Sequence, residues 1–169
     1  MKVAVLGAGA WGTAIACALG HRHAVMLHAR DAAQAREIDS ARVNRRYLPG
    51  VALPPGMPVT ADFDAALVHA AGGLVLVATP TRALREICGR LKASGFTDPV
   101  VWLCKGFGET DHRLAHEVIA EEWPEAADRS GPLSGPSFAL EVARGLPTAL
   151  TVAGSAGFCE TVTEALHGG

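Results

Sequence analysis

Three segments of this 169-residue chain carry residue types suited to holding anions and carbonyl oxygens. Gly7-Ala-Gly9-Ala-Trp-Gly12 follows the apolar run Lys2-Val-Ala-Val-Leu6 and opens a helical pattern. In that order the glycines divide the work. Gly7 permits a tight turn, Gly9 lets backbone approach a pyrophosphate, and Gly12 lets the helix lie close to the strand. Free N–H groups and the helix dipole, with Ala10 and Trp11 in the first turn, then bind an anion without a cationic side chain. Lys105 is the second candidate. It leaves the buried run Val100-Val-Trp-Leu-Cys104 and precedes Gly106, so its ammonium reaches the ligand-bearing edge, suited to a carbonyl oxygen, a phosphate or proton transfer. The third is Ser134-Gly-Pro-Ser-Phe-Ala139, which reads as a second anion site or as a capping turn with Ser137 as N-cap.

Other positions bear on the same edge. The run His23-Ala-Val-Met-Leu-His28 delivers Ala29 and Arg30 to the place where an acid grips a ribose 2′-hydroxyl in NAD-selective sites. An arginine there pairs with a 2′-phosphate, so NADP is expected to be accepted at least as well as NAD. Asp31 is either a helix N-cap or a ribose ligand. Thr79 and Pro80 end the run Gly73-Leu-Val-Leu-Val-Ala78 and are placed to flank a cofactor or to start a helix. From Ser40 to Pro58 the pattern breaks into Arg42, Arg45, Arg46, Tyr47 and a proline-rich stretch, a binding loop or a stiff surface connection. His112 and His116 stand four apart on an expected helix, but Asp111, Arg113 and Glu117 around them read as a solvated face rather than a metal site. With no GxSxG elbow, acyl transfer lacks support.

These residues need a parallel sheet to bring them together. Strand-like runs at Val3–Leu6, Ala24–His28, Val59–Thr60, Leu74–Ala78, Val100–Leu103, near Leu133 and at Ala149–Val152 alternate with helical stretches at Ala10–Leu19, Ala32–Ile38, Phe63–Ala70, Arg82–Ala93, His112–Glu122, Phe138–Ala143 and Ala156–Leu166. Asp62 and Thr81 are the expected N-caps of Phe63–Ala70 and Arg82–Ala93. The fold class is α/β, a doubly wound, mainly parallel sheet with helices on both faces.

With 49% hydrophobic residues, the chain has material for one well-filled domain. A net charge of −2 gives no global attraction for nucleic acid or an anionic membrane. Cys17, Cys88, Cys104 and Cys159 are scattered in or beside apolar segments and read as buried, reduced thiols. No apolar run is long enough to span a bilayer and no signal segment precedes the first strand, so a soluble cytoplasmic protein is expected.

Taken together, Gly7–Gly12, Ala29-Arg30-Asp31, Arg46-Tyr-Leu-Pro-Gly50, Lys105-Gly106, Ser134–Ala139 and Glu141-Val-Ala-Arg-Gly-Leu-Pro-Thr148 resemble the nicotinamide-dependent sn-glycerol-3-phosphate dehydrogenases of bacteria over essentially the whole chain. The resemblance implies a Rossmann-type domain over 1–169, NADP or NAD as cofactor, and interconversion of dihydroxyacetone phosphate and sn-glycerol 3-phosphate for glycerophospholipid synthesis. By position it implies that Ala10 and Trp11 line the pyrophosphate turn, Arg30 faces the adenosine ribose, and Tyr47 lies over the cofactor. It further implies that Lys105 touches substrate and cofactor as the catalytic residue here, that Gly135 and Ser137 hold substrate, and that Ala139 lies beside the cofactor. Ala10 and Cys104 stand where serine is usual in the family, and the missing hydroxyl at Ala10 removes one phosphate contact while leaving the backbone donors. The family continues into a helical domain that carries its proton-transfer lysine, so this chain is expected to be the cofactor half, inactive alone. The partner implied is a small molecule, with no nucleic acid, no membrane insertion, and a homodimer as candidate assembly. The rival readings are the cofactor domain of a hydroxyacyl-CoA, sugar-acid or ketopantoate type reductase, and a non-catalytic dinucleotide sensor. Ser134–Ala139 argues against the first and Lys105 against the second.

Overall fold

The computed structural model describes residues 1–108 and 112–167. Its central strand, β1 (Lys2–Leu6), is buried from Val3 onward, as a strand with helices above and below must be. It pairs in parallel with β2 (Ala24–His28) on one side and β4 (Leu74–Val77) on the other. Outside β2 lies β3 (Val59–Thr60), and beyond β4 come β5 (Val100–Trp102), β6 (Ser130–Ser134) and β7 (Thr151–Val152). The order β3-β2-β1-β4-β5-β6-β7 places the switch in winding direction between β1 and β4. Ligands bind at that crevice, at the carboxyl ends of the strands, in open α/β sheets.

Alternation along the strands divides the apolar residues into two cores. Val3, Val5, Val25, Leu27, Leu74 and Leu76 face one side, where α1 (Ala10–Leu19), α2 (Ala32–Ala41) and α7 (Ala156–Leu166) cover them with Ile15, Leu19, Ile38, Phe158 and Val162. Ala4, Leu6, Val75, Val77, Val100 and Trp102 face the other, under α3 (Phe63–Ala70), α4 (Leu84–Ala93) and α5 (Ala115–Glu122). Leu27, Leu74 and Leu76 are wholly inaccessible, and each such leucine contributes about 1.5–3 kcal/mol by burial. The short α6 (Ala139–Ala143) packs on α1 from the long β6–β7 connection.

Several boundaries differ from the sequence pattern, each for a local reason. The helix expected from His112 begins at Ala115: His112 has φ +53°, and the Glu117 carboxylate accepts from the Leu114 N–H at 2.8 Å, which starts the helix there. Asp62 caps α3 as expected, accepting from Ala65 N at 3.0 Å. Thr81 does not cap α4; its hydroxyl donates to the Lys105 carbonyl at 2.9 Å, and a 3-10 turn over Thr81–Ala83 leads into the helix. The last strand shortens to Thr151–Val152 and runs antiparallel, pairing with Leu133 and Ser134 of β6 after the long β6–β7 connection reverses the chain. Helix α2 runs on to Ala41, past Ile38.

The stretch after α2 is an ordered loop with its own bonds. Arg42, in the left-handed conformation, donates to the Pro54 and Met57 carbonyls, Val43 bridges Ala52, and Leu48, Leu53 and Met57 are buried in the first core. Just after α1, Arg22 donates to the Leu166 and His167 carbonyls and the His23 ring reaches the Ala165 carbonyl at 2.8 Å, which closes the C-terminus of α7. No described helix is long and apolar enough to cross a membrane.

Candidate functional site

The turn after β1 is fixed on both flanks. Gly7 donates to the His28 carbonyl at 2.9 Å and Ala78 donates to the Leu6 carbonyl at 2.8 Å. Gly7 sits at φ +121°, and a Cβ there would stand 2.6 Å from the Ala78 oxygen; a Cβ on Gly12 would stand 1.8 Å from the Gly7 oxygen. Both positions therefore exclude any side chain. Gly9 is different. It is the N-cap of α1, makes no side-chain cap bond, and a Cβ on it would meet nothing within 4 Å. The first turn of α1, with Ala10 and Trp11 half-buried, thus presents its N–H groups to an open side.

Around this turn, the Ala8 carbonyl accepts from Gln34 Nε2 and from Asn44 Nδ2, both at 3.0 Å. Arg30 is exposed at the exit of β2 and has no ion pair among the described residues. Asp31 caps α2, its Oδ1 accepting from Gln34 N at 2.7 Å, which takes the capping side of the two readings left open by the sequence. Tyr47 is exposed on the loop after α2, with the Arg46 guanidinium 5.1 Å from its ring centroid and its N–H donating to Asn44 Oδ1. His28 is buried edge-on to Phe63, and the Arg90 guanidinium lies over that phenyl ring, 3.7 Å from its centroid. Burial, reinforced by the Arg90 charge, holds His28 below its usual 6.5.

The far side of the same edge is formed by the exits of β4, β5 and β6. Lys105 is exposed and its Nζ donates to the Gly135 carbonyl at 3.3 Å. The Trp11 indole N–H donates to the Ser137 carbonyl at 3.4 Å, so the Ser134–Ala139 loop is held from β5 and from the glycine turn at once. Ser137 does not cap α6; Phe138 occupies that position, and the Ser137 hydroxyl is buried with no hydrogen bond, as is that of Thr79. Pro80 is exposed beside Thr79, and Ala139 is the first residue of α6, packed with Trp11 against the first core. Burial pushes the neighbouring Cys104 thiol up to about 11.

His112 and His116 do not share a helix, which removes the i, i+4 geometry, and Asp111 lies outside the described residues. The residues that sequence reading missed are Asn44, Gln34 and Thr13. Asn44 is 1% exposed and also donates to Thr13 Oγ1 at 2.8 Å. One signal was available: the chain has a single asparagine and a single glutamine, and both amides meet at Ala8.

The family of the NAD-dependent glycerol-3-phosphate dehydrogenase N-terminus matches residues 2–157. A glycerol-3-phosphate dehydrogenase (NAD(P)+) of Methylibium petroleiphilum is 57% identical over 155 residues, 90% of this chain and 45% of that protein. One from Burkholderia orbicola is 49% identical over 173 residues, 100% of this chain and 52% of that protein. The crystal structure of glycerol-3-phosphate dehydrogenase from Coxiella burnetii superposes with a TM-score of 0.85 at 34% identity, covering 99% of this chain and 51% of that one. The chain spans about half the length of the relatives it matches. With the glycine turn, the Lys105 exit and the Ser134–Ala139 loop on one sheet edge, and with that match along nearly its whole length, the chain belongs to the NAD-dependent glycerol-3-phosphate dehydrogenase N-terminal family.

Proposed function

We propose that this chain binds NADP or NAD at its glycine turn and is the cofactor half of a glycerol-3-phosphate dehydrogenase. That enzyme interconverts sn-glycerol 3-phosphate and dihydroxyacetone phosphate in the supply of glycerophospholipid backbones. One observation carries the reading: an uncapped helix start with open space at Gly9 shares an edge with Lys105 and with an unpartnered Ser137 hydroxyl. The fit of a dinucleotide rests on that open cradle. Gly7 and Gly12 shape it, and Gly9, Ala10 and Trp11 offer backbone donors to a pyrophosphate. Arg30 faces the adenosine ribose and its 2′-phosphate, Tyr47 covers the cofactor, and Thr79, Pro80 and Ala139 flank it.

The bound nicotinamide supplies the hydride. Gly135 and Ser137 orient the substrate, and Lys105 brings a fixed positive charge to it where negative charge develops on the carbonyl oxygen. The Gly135 carbonyl holds Lys105 until substrate arrives. In the family the proton-transfer lysine lies in the second half, so this chain alone binds nucleotide and turns over poorly or not at all. Its four unpaired thiols suit a reducing compartment, and we place it in the cytoplasm.

Equilibrium titration with NADPH and NADH, followed by nucleotide fluorescence, tests the reading. Both nucleotides saturate the wild type, and Arg30→Ala weakens NADPH selectively by about tenfold. Absence of binding by folded protein overturns it.

A further inference from the structure

The peptide unit between Ala8 and Gly9 has glycine on its C-terminal side, and a peptide that leads into glycine rotates more readily than one between two side-chain-bearing residues. Which way this one faces decides what the turn can bind. With the carbonyl outward, a partial negative charge meets the ligand and repels phosphate. With the N–H outward, the unit adds a donor to those of α1. In a trans peptide the two groups point in opposite directions, so holding one aims the other. Here the carbonyl is held twice, by Gln34 Nε2 and by Asn44 Nδ2, each at 3.0 Å. The Asn44 donor is buried and the Gln34 donor half-buried, whereas a Cβ on Gly9 would meet nothing within 4 Å and the Gly9 N–H makes no backbone hydrogen bond among the described residues.

Asn44 is itself held on every side. Its second amide hydrogen goes to Thr13 Oγ1 at 2.8 Å, and its Oδ1 accepts from Tyr47 N at 3.3 Å. The orientation of the amide follows from these partners, because the Ala8 carbonyl only accepts and the Tyr47 N–H only donates. Asn44 is buried, and its loop is braced by the Arg42 bonds to Pro54 and Met57. Gln34 is fixed through its own N–H to Asp31. The chain's one asparagine and one glutamine therefore act on one oxygen atom from two different elements.

We propose that Asn44, assisted by Gln34, is a positioning residue that locks the Ala8–Gly9 peptide with its N–H toward the diphosphate of the bound dinucleotide. Neither side chain touches the ligand. The inference rests on the proposed dinucleotide reading and assigns the polarity of that site to two residues outside it.

The test combines NADPH titration with amide NMR on the whole chain, for wild type, Gln34→Ala, Asn44→Ala and the double variant. In the wild type, the Gly9 amide proton shifts downfield at saturating NADPH. Gln34→Ala, a change at a half-buried helix position, weakens NADPH about threefold; the double variant weakens it by at least about tenfold. At saturation the Gly9 shift is lost in the double variant while the Ala10 and Trp11 amides still respond. A merely structural role lowers the melting temperature without separating Gly9 from Ala10 and Trp11, and that result overturns the proposal. Binding by Gln34→Ala and the double variant within twofold of wild type overturns it too. If Asn44→Ala fails to fold, Gln34→Ala and Thr13→Val, which removes an acceptor of Asn44, carry the same comparison. A folded wild type that does not bind NADPH overturns the dinucleotide reading itself, and is distinguished by failing before any variant is compared.

Discussion

The carboxyl edge of the sheet is built in two ways. Around β1 and β2 the groups find partners within the chain: Gly7 on His28, the Ala8 carbonyl on two amides, Asp31 on Gln34, and Asn44 on Thr13 and Tyr47. Around β5 and β6 the construction is looser. Phe107 and Phe138 are 64% and 73% exposed, Leu140 and Leu146 also lie in solvent, and the Ser137 hydroxyl has no partner. A bare apolar rim beside polar atoms marks surface made to meet something else. The contrast teaches that the glycine-turn end is pre-organised by hydrogen bonds between segments distant in sequence, whereas the rim near Lys105 and Ser137 leaves apolar side chains in solvent and a buried hydroxyl without a hydrogen bond.

The sharpest way to break the comparison is at the glycines. Gly12→Ala forces a Cβ to 1.8 Å from the Gly7 oxygen and is expected to cost roughly 3 kcal/mol or more, read as a fall in denaturant midpoint. Gly9→Ala meets no atom within 4 Å and should leave stability within about 0.5 kcal/mol. It nonetheless fills the cradle, and NADPH affinity should fall by at least about tenfold. If Gly9→Ala destabilised as Gly12→Ala does, the open side would be part of the core and the division would fail.

A smaller effect comes from His28, whose carbonyl anchors Gly7. The unfolded imidazole takes a proton below about 6.5, while the buried one does so only at lower pH. The unfolded state thus binds more protons in the window just under 6.5, and stability falls as pH drops through it. Chemical denaturation between pH 7.5 and 5 should show that slope, and His28→Gln should flatten it; an unchanged slope would place its origin elsewhere. The smallest change belongs to the rim. Phe138→Ser should alter stability by no more than about 0.5 kcal/mol while lowering binding of an apolar dye. A loss above about 2 kcal/mol would mean that this ring is packed as the core is.

Much of the fold was legible because periodicity and burial coincide. Val3–Leu6, Ala24–Leu27 and Leu74–Val77 are apolar, as strands covered on both faces are, and α1 and α3 occupy their expected spans. What escaped depends on contacts distant in sequence. Thr81 has the type of a cap, but its hydroxyl finds the Lys105 carbonyl 24 residues away. The direction of β7 is set by the path of the β6–β7 connection over α1 rather than by any residue in the strand. Asn44 looked like one polar residue in an irregular loop, and only the folded chain brings it to Ala8. In the site, Gly12 was readable from spacing because the atom that excludes its side chain, the Gly7 oxygen, is local, whereas Gly7 is excluded by Ala78 at the exit of a strand distant in sequence.

The clamp on the end of α7 makes the topology almost circular. The Met1 amine donates to His23 Nδ1 at 3.2 Å, and Nε2 of the same ring meets the Ala165 carbonyl at 2.8 Å, so one imidazole spans the two extremities of the described chain. A short glycine-serine bridge between them would replace a contact that already exists and add little closure entropy. The breakpoint can then move to an exposed tip such as Gly56, and the order in which the elements are made changes while their packing does not.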